Sequence, residues 1–281
     1  MIFFVSDCAD IVRRALSEDI GTGDLTTLLT VPPDARARGE IVAQSSGVVA
    51  GLPVVSEVFA QLDPGLTITF NVQDGELVQD GQTLCSIEGR AQSILTGERV
   101  ALNFLQRLSG IATKTAEFVE LVQGTKARIV DTRKTTPGLR SLEKYAVRVG
   151  GGRNHRFGLY DAVLIKDNHI QASGGIAQAV ESALAQAPHT FSVTVECETL
   201  AQVHDAIEAG ADILLLDNMT PAELAEAVET VAGQAMTEAS GGVTAETVRE
   251  IALTGVDIIS VGALTHSAAA LDISLDLTPT K

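Results

Sequence analysis

Between residues 109 and 270 the chain repeats one pattern six times: a short apolar run that ends on a polar residue or glycine, separated from the next by an amphipathic stretch. The runs are ARIVDT, AVLIK, FSVTVE, DILLLD, QAMTEAS and DIISVGA; the intervening stretches include SLEKYAVRV, GIAQAVESALAQA, LAQVHDAIEAG, PAELAEAVETVAG and AETVREIALTG. Continuous rather than alternating apolar strands are buried on both faces, which means a parallel sheet covered by helices. Six strands are fewer than a closed (β/α)₈ barrel requires. A doubly wound sheet fits the same count, but no GxGxxG follows the first strand. The pattern therefore predicts an α/β fold built on an incomplete barrel. All six strand ends carry residues suited to binding: Asp131-Thr132-Arg133-Lys134, Lys166, Glu196, Asp217, Ser240-Gly241-Gly242 and Gly262. Barrel enzymes assemble their active sites from the C-terminal ends of their strands.

The preceding third of the chain reads differently. Residues 7–19 have the spacing of an amphipathic helix ending at GTGD. From about residue 39 to 95 short strands alternate with turn signals at Asp63-Pro64-Gly65, Asp74-Gly75 and Asp80-Gly81. The hairpin VQDGELVQDGQTL is similar to that of lipoyl- and biotinyl-type domains but has no lysine at its tip, so it is read as structural. A helix is expected from Gly97 to about Val122, with Val100, Leu105, Leu108 and Ile111 on its apolar face.

Charge narrows the function. The formal net charge of −16 argues against a nucleic-acid partner. No apolar run reaches the length of a membrane span, and MIFFVSDCADIVRRAL lacks the basic start of a secretory signal. Three scattered cysteines without a CxxC pattern point to reduced thiols in a cytoplasmic protein, with neither a disulfide framework nor a zinc site. Against this acidity, residues 126–156 hold nine basic residues and only two acidic ones. A local reversal of that size suits the capture of an anion, although a solvated basic helix face is the plainer alternative.

Arg133 and Lys134 follow the first barrel strand, Arg156 precedes the second and Lys166 ends it. Their charges are expected to converge on one mouth, where arginine grips planar carboxylates bidentately and lysine acts as a point charge. His155 offers a further donor, and Gly150 to Gly152 permit a sharp turn or close backbone approach. Glu196 and Asp217 are either internal ion-pair partners or a site for Mg²⁺ shared with phosphate oxygens. Ser240-Gly241-Gly242 and Gly262 offer backbone N–H groups to a phosphate. A Schiff-base role for Lys166 would leave DTRKT and the arginines unexplained.

DTRKTTPGLR, GGGRNHRFGLYDAVLIKDNH, ILLLDN, EASGG and ISVGALTHS, with RRALSEDIGTGDLTT and GERVALNFLQRLSGIAT, together resemble the quinolinate phosphoribosyltransferase family along almost the whole chain. A related molybdenum-locus group shares the fold but lacks the NHR and IKDNH pattern. The resemblance implies an N-terminal α/β sandwich domain (1–108, joined by the tail 271–281), an incomplete barrel (109–270), and a homodimer with shared active sites or a higher oligomer. It implies quinolinate and phosphoribosyl pyrophosphate as substrates and Mg²⁺ as cofactor. By position Arg133, Lys134, His155, Arg156 and Lys166 match substrate ligands, and Arg99 the arginine donated by a partner subunit. Glu196 and Asp217 match the acids on the ribose and metal side; Lys134, Glu196 and Asp217 are the catalytic candidates. Ser240, Gly241, Gly242, Gly262 and His266 match the phosphate-binding end. The implied reaction forms nicotinate mononucleotide, pyrophosphate and CO₂. The rivals are a related phosphoribosyltransferase acting on another planar acid, and a non-catalytic anion-binding barrel protein.

Overall fold

The computed structural model describes residues 7–280. In chain order the elements are α1 (Cys8–Ile20), α2 (Leu25–Thr30), β1 (Arg36–Ala43), β2 (Gly47–Val48), α3 (Leu52–Leu62), β3 (Thr67–Phe70), β4 (Leu77–Val78), β5 (Thr83–Arg90) and α4 (Ala91–Leu121). The second half continues with β6 (Arg128–Val130), α5 (Arg140–Val149), β7 (Val163–Ile165), α6 (Asp167–Ser173), α7 (Ile176–Gln186), β8 (Val193–Cys197) and α8 (Leu200–Glu208). It ends with β9 (Ile213–Asp217), α9 (Pro221–Val231), β10 (Met236–Ser240), α10 (Val248–Leu253), β11 (Ile258–Ser260), α11 (Ala263–His266) and β12 (Ile273–Thr280).

The chain divides into two compact units. The first holds residues up to Ala116, Thr135–Gly151 and the segment from Ser267 onward; the second holds Glu117–Lys134 and Gly152–His266. The first unit thus takes α5 from within the stretch that the sequence assigns to the barrel.

In the first unit an antiparallel sheet runs in the order β12-β1-β5-β3, with β2 and β4 as a separate pair. β1 alternates in the manner of a strand with one face on a core: Ala37, Gly39, Ile41 and Ala43 are less exposed than their neighbours Arg36, Arg38, Glu40 and Val42. Helix α3, in a stretch that the sequence assigns to strands, buries Val54, Val55, Val58 and Phe59. Its turn propensity misleads because Asp74, one of the hairpin turn residues, accepts the N–H groups of Gly51 and Leu52 at 2.8 and 3.1 Å and so starts the helix. Burying Ile94, Leu102, Leu105, Leu108 and Ile111 along α4 removes five large side chains from water, each worth about 1.5–3 kcal/mol.

The second unit is the parallel sheet that the apolar runs predict, in the order β6-β11-β10-β9-β8-β7. Each strand from β7 to β10 pairs with its successor, while β6 pairs with β11 rather than β7. The free edge of β6 is partly covered by Arg153, whose N–H donates to Ile129 O at 2.9 Å and whose carbonyl accepts the Asp131 N–H at 3.2 Å. Residues of every strand from β7 to β11, and of the segment after β6, line one cavity, so the sheet curves into an open barrel. Acids at the strand starts are structural: Asp212 accepts Val193 N–H at 2.7 Å, and Asp257 accepts Thr237 N–H at 2.9 Å and pairs with Lys126 at 2.8 Å.

Candidate active site

A cavity of about 310 Å³ opens at the C-terminal ends of the barrel strands. Its wall contains Thr132, Arg133, Lys134, Lys166, Glu196, Asp217 and Ser240 from the sequence-expected strand ends and His155 and Arg156 from the loop before β7, together with Leu164, Leu215, Glu238 and Ser260.

The loop after β6 is shaped by its own hydroxyls. Thr132 Oγ1 accepts the Lys134 N–H at 3.0 Å, and Thr265 Oγ1 donates to the Lys134 carbonyl at 2.7 Å. Gly262 lets this loop come close: a Cβ there would sit 3.1 Å from Lys134 Cδ and 3.3 Å from the His266 ring. Gly262 and His266 therefore flank Lys134, although neither lines the cavity itself.

A second part of the wall is reached through GGGRNHR. Asp131, buried at the end of β6, accepts Asn154 Nδ2 at 2.6 Å and the His155 N–H at 2.8 Å, which holds that segment beside the strand. The Arg156 guanidinium donates to the Ala162 carbonyl at 3.2 Å. Burial first, and then the positive charge of Arg133, push its pKa below the ordinary arginine value. Two guanidiniums that repel each other in a partly desolvated cavity form a receptor for an anion.

Lys166 ends the next strand, its N–H capped by His169 Nδ1 at 3.0 Å, and its ammonium is ion-paired to Glu196 on the neighbouring strand. Glu196 is thus the ion-pair partner of Lys166. Asp217 accepts Asn218 Nδ2 at 2.7 Å. Asn218 lies at φ 57, a left-handed conformation that asparagine tolerates, and its N–H donates to the Ser240 carbonyl at 2.9 Å. Gly241 at φ 92 packs against it; a Cβ there would meet Asn218 Oδ1 at 2.2 Å, so no other residue fits this turn. Gly241 and Gly242 shape the end of β10 without lining the cavity.

The basic tract does not converge as a whole. Of its nine cations only Arg133, Lys134 and Arg156 line the cavity. Arg140, Lys144 and Arg148 lie on α5 in the first unit, where Arg140 donates to Thr135 Oγ1 at 3.0 Å and Arg148 stands 5.9 Å from the Tyr145 ring centre. Arg99, also in the first unit, is largely exposed on α4 with Glu98 at 3.9 Å.

Sequence reasoning missed Glu238. It sits two residues before Ser240 on β10 and so shares its inward face, a signal that strand alternation carries. Glu238 is 2% exposed, with Oε1 3.5 Å from His155 Nε2.

As for metal, no group of three or more His, Cys, Asp or Glu side chains among the described residues forms a ready-made ligand cage. Glu196 and Asp217 supply two carboxylates at one mouth, which suits Mg²⁺, an ion that keeps several waters and takes further ligands from substrate phosphates.

Fold and site together define the class: an α/β-barrel enzyme whose mouth is built to hold anions. Residues 111–276 match the C-terminal domain, and residues 24–109 the N-terminal domain, of the family described as quinolinate phosphoribosyl transferase. The chain belongs to that family. A probable nicotinate-nucleotide pyrophosphorylase (carboxylating) of Bacillus subtilis (strain 168) is 48% identical over 93% of this chain and 90% of its own. A quinolinate phosphoribosyltransferase (decarboxylating) of Nicotiana tabacum is 43% identical over 96% of this chain and 82% of its own. The crystal structure of NadC from Streptococcus pyogenes superposes with a TM-score of 0.96 at 42% identity, each chain covered fully (100%).

Proposed function

We propose that this chain transfers the phosphoribosyl group of phosphoribosyl pyrophosphate to the ring nitrogen of quinolinate, releasing pyrophosphate and CO₂ and leaving nicotinate mononucleotide, a step of NAD biosynthesis de novo. The observation that carries the reading is the juxtaposition of Arg133 and Arg156 in the cavity, where burial and the neighbouring Arg133 charge raise the cost of the Arg156 charge until an anion binds.

The chemistry follows from placement. Arg133 and Arg156 hold the two ring carboxylates, so the pyridine nitrogen faces the ribose. The nitrogen attacks C1 as the bond to pyrophosphate breaks, and the ribosyl carbon passes through an oxocarbenium-like state that Glu196 or Asp217 stabilises. Lys134 and Lys166 stabilise the departing pyrophosphate. Mg²⁺, held by Glu196 and Asp217 with the pyrophosphate oxygens, would supply further charge neutralisation. Once quaternised, the ring nitrogen accepts the electron pair of the bond to the 2-carboxylate, CO₂ leaves, and C2 takes a proton. Positioning and electrostatics account for the catalysis, and no protein nucleophile is needed.

The active unit is a homodimer in which Arg99 of one protomer completes the mouth of the other. A cytoplasmic setting is supported by three free, buried cysteines, of which Cys85 and Cys197 are pushed up to about 12 by burial. Among the described residues no helix is long and apolar enough to cross a membrane.

The test is turnover with quinolinate, phosphoribosyl pyrophosphate and Mg²⁺, scored by pyrophosphate and CO₂ release, beside nicotinate. Nicotinate lacks the 2-carboxylate and leaves cations unpaired, so its kcat/KM should fall by roughly 10⁴–10⁵. Phthalate, which keeps both carboxylates without the nitrogen, should compete with quinolinate. Comparable kcat/KM for nicotinate and quinolinate would point to another planar acid; ligand binding without turnover would point to the anion-binding alternative.

A further inference from the structure

We propose that Glu238 is a positioning residue that acts through His155 to fix the backbone bearing Arg156. On β10 Glu238 pairs with Leu215 of β9 and Ile258 of β11, and its side chain enters the cavity below Ser240. Its Oε1 is fully buried and makes no hydrogen bond, a costly state for a carboxylate oxygen. The nearby His155 Nε2, at 3.5 Å, is just beyond good hydrogen-bond length.

The other edge of the imidazole decides which proton it carries. His155 Nδ1 accepts the N–H of Arg156 at 2.8 Å, so Nδ1 holds a lone pair and the proton of the neutral ring sits on Nε2, facing Glu238. The opposite tautomer would set two N–H groups against each other at Nδ1 and a lone pair against the carboxylate at Nε2. Glu238 therefore selects the ring form that anchors the Arg156 amide. Two buried acids then face one short segment, Asp131 bonded to the His155 N–H and Glu238 set against the imidazole at 3.5 Å. A plainer role for Glu238 is to balance the cations of the cavity. The two roles separate at glutamine, which keeps an acceptor for Nε2–H and loses the charge.

The kinetic arm of the test rests on the quinolinate reading above; the spectroscopic arm does not. The chain has five histidines, few enough to assign His155 by difference with His155→Asn in protein carrying ¹⁵N-histidine. Wild type and Glu238→Gln should both show His155 with an unprotonated Nδ1 and a protonated Nε2, and Glu238→Met should show mixed tautomers. In kinetics Glu238→Met should raise KM for quinolinate about tenfold, because the ring form that accepts the Arg156 N–H is no longer favoured and that one hydrogen bond is weakened, leaving KM for phosphoribosyl pyrophosphate unchanged. Glu238→Gln should restore the quinolinate KM. His155→Asn, whose side-chain oxygen can replace Nδ1 but not Nε2, should be insensitive to a further Glu238→Met change. If Glu238→Met does not fold, the comparison of wild type with Glu238→Gln still decides. Identical tautomers in wild type and Glu238→Met, or a loss in Glu238→Gln of the size expected for Glu238→Met, would overturn the proposal. A correct tautomer pattern in an enzyme inactive on quinolinate would instead fault the substrate assignment.

Discussion

Asp131 and His155 lie 24 residues apart in sequence and are joined by a hydrogen bond of 2.8 Å from the His155 N–H to a buried carboxylate oxygen. The acid that ends β6 thereby sets the position of the wall carrying Arg156. Asp131→Ala leaves that N–H without its partner, a cost of about 1–3 kcal/mol. It should lower the melting temperature and raise KM for quinolinate together. Asp131→Asn keeps one carbonyl acceptor and should lose less on both measures.

The two arginines of the cavity should matter separately. Arg133→Ala and Arg156→Ala each remove a charge-assisted contact in a partly desolvated site, costing roughly 2–5 kcal/mol in kcat/KM for quinolinate. Calorimetry with phthalate should show the same loss without turnover. Unchanged values in both folded variants would end the carboxylate-clamp assignment.

Glu196 and Asp217 should set the metal requirement. Glu196→Gln and Asp217→Asn put neutral amides in place of hard-cation ligands, so the Mg²⁺ concentration for half-maximal activity should rise in both. Glu196→Gln also releases Lys166 from its ion pair. If metal titrations of both variants overlay wild type, the carboxylates serve only as ion-pair and hydrogen-bond partners.

Arg99 provides the test of shared sites. Mixing inactive Arg99→Ala with inactive Arg133→Ala protomers should recover activity, because one of the two sites in a heterodimer carries neither lesion. A verified heterodimer without recovery would remove Arg99 from a neighbour's site.

Asp63 should make stability depend on pH. Arg90 Nε at 2.8 Å is the largest influence holding its carboxyl well below the ordinary range, helped by Ser93 at 2.8 Å. A depressed carboxylate stabilises the fold above its unfolded pKa, and that contribution is lost as pH falls through the folded one. Asp63→Asn should therefore melt below wild type at pH 7, and the gap should narrow below about pH 4. A gap independent of pH would mean that the charge plays no part.

The barrel was legible because buried parallel strands carry an unbroken apolar signal, and DILLLD or FSVTVE admits few other readings. The cations at the strand ends were legible for the same reason, since a strand end can be counted from its run. Helix α3 was not, because its start depends on Asp74, more than twenty residues away. Nor was the separation of Arg140, Lys144 and Arg148 from Arg133 and Arg156: charge along a chain says nothing of which unit each helix joins. Glu238 was hidden by its strand, where an acid among apolar neighbours drew no notice until the cavity gave it a face.

The order of the strands bears on how the chain is made. β6 closes only against β11, pairing Arg128 with Ile258, and β1 closes against β12, pairing Arg36 with Thr280. Each sheet therefore closes through a strand made long after its first one, so each stays open until that later strand has been synthesised. Such distant pairings slow folding and prolong the exposure of strand edges. Removing β12 would strip an edge from the first unit's sheet, so a strand made late guards one made early.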